Sequence, residues 1–182
     1  HDIFAVQSET ARPVASALAA EMIPDPKAPA GSAGALAAEG GTRSAQAFDA
    51  YLKGRALYDL SADEASERAA LAQFDLAIAA DPDYAPAHAA RARSLTAIAN
   101  QYGKAGQLQE LYESAIESAR RAIEIAPGLA DAYSTLGFTL FQGKLDARGA
   151  REPFERSREL GAGEATVLAR YAQYSARVGR SQ

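Results

Sequence analysis

The chain has 182 residues, with 19 basic and 23 acidic side chains, a formal net charge of −4, two histidines and no cysteine. Without cysteine there is no disulfide framework, thiolate metal site or cysteine nucleophile, and His1 and His88 are too few for a clustered histidine metal site. No apolar run approaches the roughly 20 residues that span a bilayer, and mild acidity disfavours a nucleic-acid partner, so a cytoplasmic location with no membrane association is expected.

Alanine is the dominant residue, with 45 copies against 33 for Leu, Ile, Val and Phe together. Alanine is the strongest helix former and allows helices to approach closely, so the composition predicts an all-α fold. Residues 2–22 read as an amphipathic helix with Phe4, Ala11, Val14, Leu18 and Met22 on one stripe, kinked or split at Pro13. Glu9, Arg12 and Pro13 interrupt any apolar stretch there, so the first twenty residues do not read as a signal peptide. No methionine opens the chain, so a piece of a longer protein is one reading of it. Residues 23–44 hold Pro24, Pro26 and Pro29 with Gly31, Gly34, Gly40 and Gly41, the composition of a linker.

From residue 45 onward a repeat emerges. Gly54, Ala92, Gly137 and Ala172 are the small residues of successive first helices. Ala70, Ala115 and Ala150 are those of the second helices, and Pro82, Pro127 and Ala162 follow as stops. The step from second-helix small residue to stop is 12 in every unit, and the step from stop to the next first helix is 10. Only the step between the two helices of a unit varies, at 16, 23 and 13. Two constant spacings and one variable spacing describe a helix pair with an elastic internal turn.

These positions resemble the tetratricopeptide repeat (TPR), a helix–turn–helix unit. The third unit matches best, through Tyr133, Leu136, Gly137, Leu140, Ala150 and Phe154. The first offers Gly54, Leu57, Ala70, Phe74, Ala77 and Asp81-Pro82, and the second His88, Ala92, Leu95, Ala115, Ala122 and Pro127. The chain departs from the pattern at Ala119, where an aromatic is usual, at Ala162, which replaces a stop proline, and at Pro153, which lies inside a second helix. The fold expected is a right-handed α-solenoid of antiparallel helix pairs over 45–182. Its units run about 47–84, 85–129 and 130–164, and a capping helix covers 165–179. Helices are expected near 45–60, 63–80, 85–102, 105–126, 129–143, 146–160 and 164–178, with the extra residues of the middle unit lengthening its helices. Close packing of the pairs is expected at Gly54, Ala92 and Gly137, with Phe74, Phe154 and Tyr133 filling the space between units.

The stretches Asp2–Gln7 and Ala50–Leu57 also resemble a junction in bacterial signalling proteins, where adenylate cyclase-type or winged-helix chains carry a TPR array. That resemblance implies a bacterial signalling or regulatory context, with residues 1–22 a remnant of a preceding domain and any cyclase activity elsewhere in the parent chain.

Candidate chemistry is sparse. His88 has no carboxylate or second histidine at ligand or triad spacing and reads as a core or interface residue. Gly161-Ala162-Gly163 follows a helix instead of a strand and fails the context of a phosphate loop. The acids Asp63, Glu64, Glu67, Glu110, Glu113 and Glu117 read as a solvated helix face paired in part with Arg120 and Arg121. No catalytic residue, cofactor or metal is therefore expected.

The TPR resemblance implies instead a concave groove lined by first helices. Its facing positions are Tyr51, Arg55 and Tyr58, then Ala89, Arg93 and Thr96, then Ser134, Phe138 and Phe141, and finally Ala169 and Gln173 with Arg170 beside them. Charge adds to this: the segment 85–102 carries +2 from Arg91 and Arg93, while 63–80 and 105–126 carry −3 and −2. Arg55, Arg93 and Arg170 are thus expected either to form a basic strip for a protein or acidic peptide partner or to pair with Asp49, Asp59 and Asp131. The Lys and Asn with which some TPR domains clamp a peptide's terminal carboxylate are replaced by Tyr51, Arg55 and Ala90, which disfavours a chaperone-tail receptor. The expectation is a non-enzymatic interaction module, with a self-associating homodimer as the alternative.

Overall fold

The computed structural model describes residues 40–60 and 63–179. The amphipathic segment expected over 2–22 and the linker up to residue 39 lie outside the described residues.

Among the described residues seven α-helices run in chain order: α1 Ala45–Asp59, α2 Glu64–Ala80, α3 Ala85–Tyr102, α4 Leu108–Ile125, α5 Ala130–Phe138, α6 Arg151–Leu160 and α7 Ala165–Arg177. A π-helical turn, Thr139–Gly143, extends α5. No strand occurs among the described residues.

Helix ends follow local chemistry. The Ser44 hydroxyl accepts from the Ala47 amide at 3.1 Å and Asp63 accepts from the Ser66 amide at 2.8 Å, each satisfying an orphan donor of a first turn. Asp81 and Ala126 close α2 and α4, each before a proline that disfavours helical continuation. Ahead of α1 the chain is tied down: the Gly40 carbonyl accepts from the Ala85 amide at 3.0 Å, and the Thr42 hydroxyl donates to Asp81. Gly40 has φ +74°, and a Cβ there would fall 2.6–2.7 Å from the Cβ atoms of Ala126 and Ala85, so glycine serves both the turn and the close approach.

Helices pair as α1/α2, α3/α4 and α5/α6, and each second helix packs on the next first helix. First helices also pack on one another, α1 on α3, α3 on α5 and α5 on α7, whereas no second helix meets another to a comparable degree. Tighter spacing on one side makes this an α-solenoid that curves with its first helices inward.

The glycines perform the expected close packing. A Cβ on Gly54 would lie 2.6 Å from the Phe74 ring, and one on Gly137 would lie 2.9 Å from the Phe154 ring. Both phenylalanines are fully buried, and both also reach the next unit, Phe74 against Ala90 and Phe154 stacked on Tyr174 at 4.7 Å. They therefore fill the crossing inside a unit as well as the gap between units. Tyr133 departs from expectation: it is half-buried and joins none of the core clusters. The joints are made instead by Tyr84, edge-on to Tyr51 at 5.2 Å, and by Tyr174.

The middle unit lengthens its helices. α3 and α4 have 18 residues each, against 15 and 17 in the first unit and 9 and 10 in α5 and α6. Two second helices start later than expected, α4 at Leu108 and α6 at Arg151, with Gly106 and Gly149 in the turns that take the place of their first residues.

Candidate functional site

A depression of about 220 Å³ opens on the inner side of the stack. It is lined by Tyr58 of α1, by Arg93, Thr96, Ala97, Asn100 and Gln101 of α3, by Thr135 and Phe138 of α5, and by Arg170 of α7. All four first helices contribute and no second helix does.

Two guanidinium groups dominate it, each laid over an aromatic ring. Arg93 sits 5.0 Å from the centroid of Tyr58, and Arg170 5.2 Å from that of Phe138. Such stacking holds a partly desolvated cation while leaving its in-plane donors to face outward. One carboxylate stands between the two cations. Asp131, in the first turn of α5, places Oδ2 3.5 Å from Arg93 Nη1 and Oδ1 3.7 Å from Arg170 Nη1. Arg170 also donates to the Thr135 hydroxyl at 3.2 Å, while the buried Nε of Arg93 has no acceptor among the described residues.

The electrostatics follow. Burial pushes the Arg170 guanidinium below its usual range, opposed by Asp131 and reinforced by Arg93. Burial likewise raises the Tyr58 phenol, a shift that the nearby Arg93 resists. The two cations face Asp131 at ion-pair range, and a second carboxylate, the buried Glu67, also acts on the Tyr58 phenol.

Of the residues expected to face the groove, Tyr58, Arg93, Thr96, Phe138 and Arg170 meet in this depression. The others are placed differently. Arg55 and Gln173 are exposed and outside it, and Arg55 forms no ion pair among the described residues. Tyr51 packs edge-on to Tyr84 and 6.1 Å from Phe74, as a core brace between α1 and α2. Ser134 is fully enclosed, as is Ala89, so neither is presented to a partner. Thr96 borders the depression with its hydroxyl engaged. It lies 2.7 Å from Thr139 Oγ1 and 2.8 Å from the Ala92 carbonyl, while Thr139 is 2.9 Å from the Thr135 carbonyl. Each hydroxyl has one proton, so one donates across the helix pair and the other back along its own helix. Phe141 lies edge-on to Tyr174 at 5.2 Å, within the core. It follows Thr139 in the π turn, whose extra residue rotates the side chains beyond it away from the α-helical face.

Asn100, Gln101, Ala97 and Thr135 join the site unforeseen. Three of them were legible: Ala97, Asn100 and Gln101 lie four, seven and eight residues beyond Arg93, on one helical stripe. The Asn100 carbonyl oxygen is fixed by the Tyr112 hydroxyl at 2.7 Å.

The outer side carries a larger furrow of about 960 Å³ along α4, bordered by Asp75, His88, Arg91, Arg121 and Lys144 among others. Three of its four arginine and lysine side chains are tied down, while Arg120 is exposed with no ion pair among the described residues. Arg91 donates to Asp75 at 2.7 Å and to the Ser118 hydroxyl, Arg121 meets Asp83 at 2.7 Å, and Lys144 meets Glu113 at 3.2 Å. Arg121 thus pairs with Asp83 and Glu124, and Glu64 with Arg68, in place of the pairing of the acidic faces with Arg120 and Arg121 expected from sequence. His88 is half-buried with Nε2 2.9 Å from the Pro82 carbonyl, as expected of an interface histidine.

No family model matches the chain, and no curated protein matches it. Solved structures do. The first TPR of Spaghetti (RPAP3), solved bound to the HSP90 peptide SRMEEVD, superposes with a TM-score of 0.57 at 17% identity, covering 75% of this chain and 95% of that one. The Sgt2 TPR domain from Aspergillus fumigatus superposes with a TM-score of 0.58 at 19% identity, covering 75% and 81%. At such identities the likeness establishes the fold, that of TPR domains.

Proposed function

We propose that residues 45–182 form a non-enzymatic interaction module that binds a protein or peptide along its inner groove, with Arg93 and Arg170 receiving an acidic side chain of the partner. The observation that carries this reading is the pair of guanidinium groups stacked on Tyr58 and Phe138, with the buried Nε of Arg93 left without an acceptor among the described residues. Arginine and tyrosine are enriched among residues that dominate interface energetics, and guanidinium forks match carboxylates. The depression, at about 220 Å³, is below the roughly 300 Å³ of ordinary small-ligand pockets and suits one side chain of a longer ligand. Similarity to a TPR domain solved with a peptide containing two glutamates and an aspartate supports an acidic peptide. The chaperone-tail reading remains disfavoured, since Tyr51, Arg55 and Ala90 stand where the Lys and Asn of that clamp belong.

Screening the full chain against an immobilised peptide library tests this. The wild type should enrich peptides with Asp or Glu, and an Arg93→Gln/Arg170→Gln variant that melts like the wild type should lose the enrichment. Equal profiles would move the interface off the groove.

The bacterial signalling context and the cytoplasmic location rest on the junction resemblance and on composition. No helix among the described residues is long and apolar enough to cross a membrane. One observation favours self-association as a second reading. α7 leaves Ala172 exposed and Leu168 39% exposed, where Gly54 and Gly137 of the other first helices are covered by an aromatic of a second helix. Sedimentation of the wild type beside Leu168→Glu tests it, and a monomer at all concentrations would dismiss the homodimer.

A further inference from the structure

Other ion pairs among the described residues run from 2.7 Å, as in Lys53–Asp49, Arg91–Asp75 and Arg121–Asp83, to 3.3 Å in Arg121–Glu124. Asp131 is the exception. It offers one oxygen to each of two arginines and reaches neither well, at 3.5 and 3.7 Å. Its carboxylate is three-quarters buried, and it sits at the N-terminal turn of α5, where the helix dipole already favours a negative charge. Around it the arginine donors are under-used, most plainly the buried Nε of Arg93. A carboxylate between two guanidiniums, at 3.5 and 3.7 Å from them, occupies the place a better-placed carboxylate would take.

We propose that Asp131 is a built-in competitor, a tethered stand-in for the partner's carboxylate that has to yield before the partner is bound. The inference rests on the groove reading above. An entering Asp or Glu side chain cannot share the two cations with Asp131 without like-charge repulsion in a partly desolvated site. Exchange therefore swings Asp131 outward, where water and the α5 N-terminus receive it, and the incoming carboxylate closes on Arg93 and Arg170 at full hydrogen-bond distance. Asp131 also sets selectivity. Only a group carrying its own negative charge repels Asp131 and replaces it on the two cations, so a neutral side chain leaves the internal pairing in place. The consequence is unusual for a charged residue in a binding site: its removal tightens binding.

The test uses the full chain and fluorescein-labelled hexaglutamate, with hexaglutamine as control, followed by fluorescence anisotropy at low salt. Asp131→Asn should bind hexaglutamate about tenfold more tightly than the wild type, equivalent to about 1.4 kcal/mol. Asp131→Glu should stay near the wild type, and hexaglutamine should bind none of the proteins measurably. The gain should vanish in Asp131→Asn/Arg93→Gln, because it acts through the pocket. Unchanged or weaker affinity in Asp131→Asn, with Arg93→Gln still impaired, would make Asp131 a structural brace and overturn the proposal while leaving the groove reading in place. Equal hexaglutamate binding by the wild type and Arg93→Gln would overturn both, as would an equal gain with and without Arg93. Should Asp131→Asn fail to fold, the Asp131 carboxyl carbon in the wild type, followed by NMR, still decides. It should shift as hexaglutamate saturates the protein, and a static resonance at saturation would refute the exchange.

Discussion

Arg91 and Arg93 lie two residues apart on α3 and face opposite sides of the stack, and their surroundings could hardly differ more. Arg91 points outward into the furrow along α4, where Asp75 meets it at 2.7 Å and Ser118 accepts from it. Arg93 points inward, stacked on Tyr58, with only a shared carboxylate at 3.5 Å and a buried Nε that has no acceptor among the described residues. Both are partly buried arginines, so neither burial nor residue type separates structure from function here. What separates them is whether the donors are satisfied by the chain itself. The outer furrow is several times larger than the inner depression, yet Arg91, Arg121 and Lys144 are spent on Asp75, Asp83 and Glu113, and the remaining Arg120 is exposed to water. Volume points to one face of the molecule and unsatisfied chemistry to the other, and the chemistry is the better guide.

The largest expected effect breaks the inner side selectively. Phe154 is fully buried beneath Gly137 and stacked on Tyr174, so it sets the spacing of α5, α6 and α7, and with it Thr135, Phe138 and Arg170. Phe154→Ala should destabilise the fold by about 3–5 kcal/mol, measured by urea unfolding. The site should weaken while the Arg91 links between α2, α3 and α4 persist, and hydrogen exchange should show early opening confined to α5–α7. Uniform opening of all helices would mean that the units do not differ in this way.

The two arginines themselves sharpen the contrast at intermediate size. Arg93→Gln should reduce binding of an acidic peptide by about tenfold to a hundredfold, the loss of a hydrogen bond to a charged group, with little change in stability. Arg91→Gln should do the reverse, lowering stability by about 1 kcal/mol with peptide affinity unchanged. A swapped result would reverse the assignment of inner and outer faces.

Much of the fold was legible because it rests on spacing. The constant steps from Ala70 to Pro82 and from Pro82 to Ala92 report helix lengths, and Gly54 and Gly137 report close crossings that only a missing Cβ permits. The start of α6 was less so: Gly149 disfavours a helix within 146–150, but a single glycine costs only about 1 kcal/mol and does not by itself fix where the helix begins. The site was half legible. Arg93, Arg170, Tyr58 and Phe138 follow from position within the repeat, but Phe141 does not, because the π turn at Thr139–Gly143 has no signature in the residues and turns that ring into the core. Ser134 and Tyr51 were misplaced for a related reason. Position in the repeat gives the direction of a side chain but not how deeply its neighbours bury it. Of the two readings weighed for the arginines, pairing with an acid is seen at Asp131 for Arg93 and Arg170, while Asp49 pairs with Lys53.

The smallest effect concerns pH and again divides the two faces. His88 borders the outer furrow, and its folded-state pKa lies below the ordinary 6.5, first through desolvation and then through Arg121 and Arg91, against the opposing pull of the Pro82 carbonyl and Asp83. A histidine whose pKa is depressed by folding binds protons more readily when unfolded, so stability falls as pH drops through 6.5 and levels off below the folded value. Urea unfolding of the wild type between about pH 8 and about pH 5.5 should therefore show a decline that His88→Gln lacks, smaller than the effect of Arg91→Gln. Acidic-peptide affinity should stay flat over the same interval, because the guanidinium groups and peptide carboxylates keep their charge there. A pH-dependent affinity that disappears in His88→Gln would show the outer furrow to be coupled to binding, and the division between the two faces would then have to be given up.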